Sequence, residues 1–166
     1  TDILDNWLKN GNKPAVGSTI SGLTEIAGLP ILGLRLFKNP LDPEYLLSWL
    51  TTPSSPIPSS LGSDLSCEIV SSGGFFNKRC ERIIDEYINE DPSALEDKKE
   101  GDAALSYRKR IVDSFLPKKE YYDNGDSVRR EDITSFISAL ISYSLSKQEK
   151  SGFQYISNEL QIILSY

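Results

Sequence analysis

Residues Lys38 to Pro58, KNPLDPEYLLSWLTTPSSPIP, constrain this chain more than any other stretch. Asp42 is a good N-cap, because its carboxylate accepts from the unpaired N–H groups of a first helical turn. Pro43 suits the first helical position, where no N–H is needed, and Glu44 favours the positive end of the helix dipole. Leu46, Leu47, Trp49 and Leu50 then supply a broad apolar surface. Pro53, Pro56 and Pro58 forbid the helix from continuing and hold the exit extended. Nothing in this stretch carries chemistry, so from its residues alone it reads as the centre of a helical module.

The rest of the chain has the same character. Asp2 to Asn10 is predicted helical, with Ile3, Leu4, Trp7 and Leu8 on one face and Gly11 where a left-handed stop belongs. Lys13 to Gly17 is too short for a helix and offers at most one short edge strand. From Ser21 the apolar positions return to helical spacing with Pro30 inside the pattern, which predicts either one kinked helix or two abutting ones. Ser59 to Ser72 repeats the spacing and stops at Gly73-Gly74. Phe75 to Ile88 follows, with Phe76, Cys80, Ile83, Ile84 and Tyr87 on one side.

Residues 89–101 are rich in Glu, Asp and Lys and predict an exposed, mobile acidic connection. Helices are expected again over Ala103 to Leu116, over Glu131 to Lys147 capped by Asp126 or Ser127, and over Phe153 to Tyr166; Lys118 to Gly125 reads as a polar turn. The sum is an all-α, irregular bundle of six to eight helices in a single domain spanning 1–166.

A chain of 166 residues is long enough to bury about 70% of its unfolded surface. Hydrophobic residues at 39% and charged residues at 25% place it with globular rather than disordered chains. No apolar run reaches spanning length and no signal-type segment stands out, which predicts a cytoplasmic location without membrane contact. The chain begins at Thr1 and contains no Met, so it is expected to be a piece of a longer protein.

Composition also narrows the chemistry. The chain has no His, which removes the commonest general base and the commonest metal ligand. Gly17-Ser18-Thr19 and Gly73-Gly74 lack the lysine and the preceding strand that a phosphate cradle requires. Glu96-Asp97-Lys98, with Asp85 and Asp91 upstream, formally spells the D…E-x-K order of metal-dependent nucleases. These residues lie in a charge run instead of on paired apolar strands, so they are read as solvated surface, and no catalytic, metal or cofactor site is predicted. Cys67 and Cys80 match no metal spacing and are read as reduced thiols.

A net charge of −6 argues against a free-standing nucleic-acid binder but leaves room for a local basic patch. Basic residues cluster at Lys78, Arg79 and Arg82, at Arg108, Lys109 and Arg110, at Lys118 and Lys119, and at Arg129 and Arg130. Arg108, Lys109 and Arg110 form the densest run and are the candidates for contact with DNA phosphates. Phe75-Phe76 and Tyr121-Tyr122 are aromatic pairs of the kind that stack on bases, although such pairs more often belong to a core.

Two segments, D-I-L-D-N-W-L-K-N-G-N-K-P-A-V-G-S at residues 2–18 and L-R-L-F-K-N-P-L-D-P-E-Y-L-L-S-W-L-T-T-P-S-S-P-I-P at residues 34–58, resemble the UvrD-type superfamily-one helicase fold near its second motor domain. The likeness is to AddB/RecC-like subunits of bacterial helicase–nucleases, whose parent chains carry a PD-(D/E)XK nuclease. Ser71 to Phe76 matches the glycine-rich break of that family, whereas a tryptophan frequent in the helix after the break is replaced here by Phe76 or Cys80. The resemblance covers about the first half of the chain. It implies a helical insertion domain of the 2B kind, serving an ATP-dependent exonuclease in double-strand break repair. Duplex DNA, bound weakly and without sequence preference, and a partner subunit would be its ligands. The ATPase and nuclease motifs of the family lie outside this chain, so no catalytic residue is carried over. The alternative is a stand-alone helical protein-interaction module without a DNA role.

Overall fold

The computed structural model describes residues 18–90, 98–123, 128–147 and 151–164. The expected helix over Asp2 to Asn10 and the expected edge strand at Lys13 to Gly17 fall outside them. The described residues are helical without a strand: α1 (Ser18–Arg35), α2 (Pro43–Thr51), α3 (Ser59–Ser72), α4 (Lys78–Asn89), α5 (Lys98–Phe115), α6 (Glu120–Asp123), α7 (Arg130–Ser146) and α8 (Ser151–Leu164). The all-α irregular bundle read from the periodicity is therefore the fold.

Local signals set α2 and α3. Asp42 is extended and its Oδ1 accepts from the Glu44 N–H at 2.9 Å, with Pro43 at the first helical position. α3 runs to Ser72 and ends on Gly73, whose φ of +79° lies in the left-handed region that a side chain resists. Ahead of α2 the Asn39–Pro40 bond is cis, and after it the proline exit at 53–58 carries the chain into α3.

Packing runs from neighbour to neighbour and then closes. α1 packs on α2, α2 on α3, α3 on α4 and α4 on α5; α5 meets α7, α7 lies along α8, and α1 touches both α7 and α8. Trp49 sits at the centre of this circuit with no exposed surface. Its ring lies 5.8 Å from that of Phe136 on α7 and 6.4 Å from that of Phe115 on α5. Its Nε1–H donates to the Phe115 carbonyl at 2.9 Å, so the one polar atom of the indole is satisfied inside the core. α2 packs on the preceding helix through this apolar surface: Leu46, Trp49 and Leu50 are all buried, and Trp49 Cζ3 lies 3.1 Å from where a Cβ on Gly33 of α1 would stand. Leu32, Leu34 and Phe37 pack against the same core.

Several boundaries differ from the sequence reading. α1 starts at Ser18, ahead of Ser21, and of the two alternatives at Pro30 it takes the single helix. α4 starts at Lys78, because Asn77 accepts from the N–H groups of both Arg79 and Cys80, at 2.8 and 2.9 Å, and this cap overrides the aromatic pattern before it. Phe76 therefore precedes the helix and is 39% exposed, not part of its inner stripe. α4 extends to Asn89 and α5 begins at Lys98, with Gly101 buried, so both ends of the segment read as a connection are helical. Lys, Glu and Asn are accommodated at a helix end as readily as in a loop.

α7 takes Arg129 as its N-cap without a side-chain capping bond, in place of Asp126 or Ser127, which lie outside the described residues. The Arg129 guanidinium instead binds Asp132 at 2.9 Å, and Glu131 and Asp132 complement the helix dipole. The polar turn at Lys118 to Gly125 holds the short α6, fixed by contacts from elsewhere: Tyr122 donates its hydroxyl to the Leu36 carbonyl, and the Tyr121 ring lies 5.2 Å from that of Phe37.

Candidate functional site

The three DNA-contact candidates occupy successive positions on α5, which turns them about 100° apart. Arg108 faces α4. Its guanidinium binds the Glu90 carboxylate at 3.1 Å and the Glu90 carbonyl at 2.7 Å, and lies over the Tyr87 ring at 5.6 Å. Arg110 turns the other way and lies over the Tyr107 ring at 5.5 Å, while Lys109 is exposed. The three do not share one face.

The other basic clusters are similarly engaged. Arg79 pairs with Glu68 at 3.9 Å, Arg82 with Glu86 at 3.5 Å across one helical turn, and Arg129 with Asp132. Lys118 lies over the Tyr121 ring at 5.9 Å. Of the aromatic pairs, Phe75 is buried, while Phe76 packs on Tyr122 at 5.3 Å between ring centres. Both pairs thus join the seam where the turn before α4 meets α6.

Among the described residues, three grooves of about 290 Å³ or more mark the surface. The first, about 690 Å³, lies between α3 and α4 and is walled by Asp64, Glu68, Glu86 and Glu90 around Leu61 and Ile83. The second, about 670 Å³, follows the proline exit past Tyr107, Tyr143 and Lys147. The third, about 290 Å³, continues between α5 and α7 past Arg110 and Ser146 and shares both tyrosines with the second. Neither Tyr107 nor Tyr143 was singled out from the sequence. The available signal was that Tyr143 continues the Phe136, Leu140 stripe at helical spacing, so a polar ring on the inner face had to reach a partner; its hydroxyl bonds the carbonyls of Ser54 and Ser55 at 3.3 and 3.1 Å.

Chemistry finds few reagents here. No group of three or more His, Cys, Asp or Glu side chains with metal-holding geometry occurs among the described residues. Of the nuclease-like series, Asp91, Glu96 and Asp97 lie outside those residues, Asp85 is exposed on α4 and Lys98 opens α5. Cys80 is buried, and burial pushes its thiol above the ordinary range despite the hydrogen bond from Asn77, so it stays protonated and a poor nucleophile. Cys67 is exposed on α3 and both cysteines are free thiols. Among the described residues no helix is long and apolar enough to cross a membrane. Comparisons with protein-family models, with curated proteins and with solved structures gave no match.

Proposed function

We propose that this chain is a non-catalytic helical domain of an ATP-dependent helicase–nuclease subunit, one that takes part in DNA double-strand break repair by holding a partner subunit or duplex DNA in place. The supporting observation is the role of residues 41–58, which belong to the second of the two segments that carry the family resemblance: Leu46, Trp49, Leu50 and Ile57 are buried together and Trp49 joins α1, α2, α5 and α7. A resemblance carried by the hub of a fold bears on the whole domain, whereas one carried by a surface loop bears only on that loop. The proposal assigns no reaction, cofactor or metal to the domain.

The chain is expected neither to hydrolyse ATP nor to degrade DNA, with or without magnesium. Labelled duplex titrated at low and moderate salt is expected to bind no more tightly than about 10⁻⁴–10⁻⁶ M and to be released steeply as salt rises. The Arg108/Lys109/Arg110 triple alanine variant distinguishes a DNA-holding from a partner-holding role: binding that persists unchanged removes DNA contact from this cluster. Coding sequence on either side that lacks both helicase-type ATPase motifs and a D…E-x-K nuclease motif refutes the helicase–nuclease reading. A stand-alone interaction module then takes its place, a reading favoured by the four carboxylates of the α3–α4 groove, which repel phosphates.

A further inference from the structure

The joined second and third grooves have a chemistry unlike the rest of the surface. Their charged walls are Arg110 and Lys147, and no carboxylate lines them among the described residues, in a chain whose net charge is −6. An anionic ligand therefore meets opposite charge here and like charge at the α3–α4 groove.

The hydroxyls along these walls narrow the ligand further. Thr51 and Thr52 donate their protons to the carbonyls of Leu47 and Ser48, at 2.8 and 2.6 Å. Ser66 donates to Gly62 at 2.6 Å, Ser142 to Ser138 at 3.0 Å, and Ser146 to Tyr143 at 2.7 Å. With the protons of these five hydroxyls committed to backbone carbonyls, their oxygens keep only lone pairs and act as acceptors, and the Ser55 hydroxyl oxygen already accepts, from the Ile57 N–H at 3.2 Å. A ligand that pairs with them has to bring N–H donors at intervals, together with negative charge for Arg110 and Lys147.

We propose that this groove docks an extended, acidic peptide segment of a partner protein. An extended peptide supplies a backbone N–H at every residue, whereas the backbone of a nucleic-acid strand supplies charge but only acceptor oxygens on its phosphates. Tyr107, 48% exposed between the two grooves, offers a ring for an apolar side chain of the same segment. The wall is preformed: the Tyr143 hydroxyl ties the Ser54 and Ser55 carbonyls to α7, and the prolines at 53, 56 and 58 limit the loop's freedom, so little order remains to be lost on binding.

The inference rests on the docking role proposed above, and its test keeps the two apart because Tyr107 and Lys147 lie outside the Arg108–Arg110 cluster used for duplex binding. Short random peptides displayed on phage are selected against the whole chain, and the winners are synthesised with a fluorophore and titrated by polarisation. They are expected to be enriched in Asp and Glu, and to bind roughly tenfold more weakly to Lys147→Ser and to Tyr107→Ala, with circular dichroism confirming intact folding. Glu86→Ala, in the α3–α4 groove, is expected to leave them unchanged. Selection of no peptide, peptides without acidic enrichment, affinity indifferent to Lys147→Ser and Tyr107→Ala, or tighter binding of oligothymidylate at the same residues each overturns the proposal.

Discussion

Replacing Gly62 by alanine sets helix propensity against tertiary packing. Within an isolated helix the change stabilises by roughly 0.8–1.0 kcal/mol, because glycine loses more backbone freedom on folding. In the fold the new Cβ falls onto the carbonyl oxygen of Leu50 and within 3.1 Å of its carbonyl carbon. Both are backbone atoms of α2, so no rotamer change relieves the overlap and α2 and α3 must separate. Leu46, Trp49, Leu50, Leu61 and Leu65, all buried where these helices meet the core, then lose packing. Overpacking costs about 1–3 kcal/mol, towards the upper end where backbone has to move. Setting about 3 kcal/mol of overlap against about 1 kcal/mol of propensity leaves a net loss of about 2 kcal/mol. For a chain of this length that lowers Tm by about 4–8 °C. Gly28→Ala in α1 is the control: its Cβ meets nothing within 4 Å, so only the propensity gain remains and Tm is expected to rise by about 2–4 °C. Both variants are compared with the parent by calorimetric melting under one buffer condition. A Gly62→Ala protein as stable as the parent, or a Gly28→Ala protein that melts earlier, refutes the packing described for α2 and α3.

Trp49→Ala is expected to cost about 3–5 kcal/mol, since the side chain has no exposed surface; an unchanged denaturant midpoint places Trp49 outside the core. A pH dependence follows from Tyr87, Tyr121, Tyr122 and Tyr143, whose phenols burial raises above the ordinary value of 10.0. The unfolded chain ionises first, so their contribution to stability is fully present below pH 10 and is lost as pH rises above it through the folded values. Melting temperature is expected to fall with rising pH beyond that point, with the phenolate absorbance of these four rising as the chain unfolds; their titration at the ordinary value in a still-folded chain contradicts this.

The sequence by itself determined the helical class, the limits of α3 and the start of α2, because those features depend on residues within a turn or two of one another. An Asp-Pro start, a glycine stop and apolar positions at helical spacing act through local backbone geometry, and they survive whatever the helices pack against. Tertiary structure decided the rest. Arg108 belongs by sequence to a basic run, yet its fate depends on Glu90 and Tyr87, which reach it only once α4 and α5 have docked. Tyr122 looks like part of a polar turn until Leu36 arrives as its acceptor, 86 residues away along the chain. Likewise the groove around Tyr107 and Tyr143 exists only where α5, α7 and the proline exit come together, and these residues are separated from one another and from that exit by whole helices. Periodicity specifies which face of a helix is apolar, but the angle and depth at which two such faces meet follow from the packing of side chains brought from distant parts of the chain, and those angles decide which polar groups are paired and which are left to face a groove.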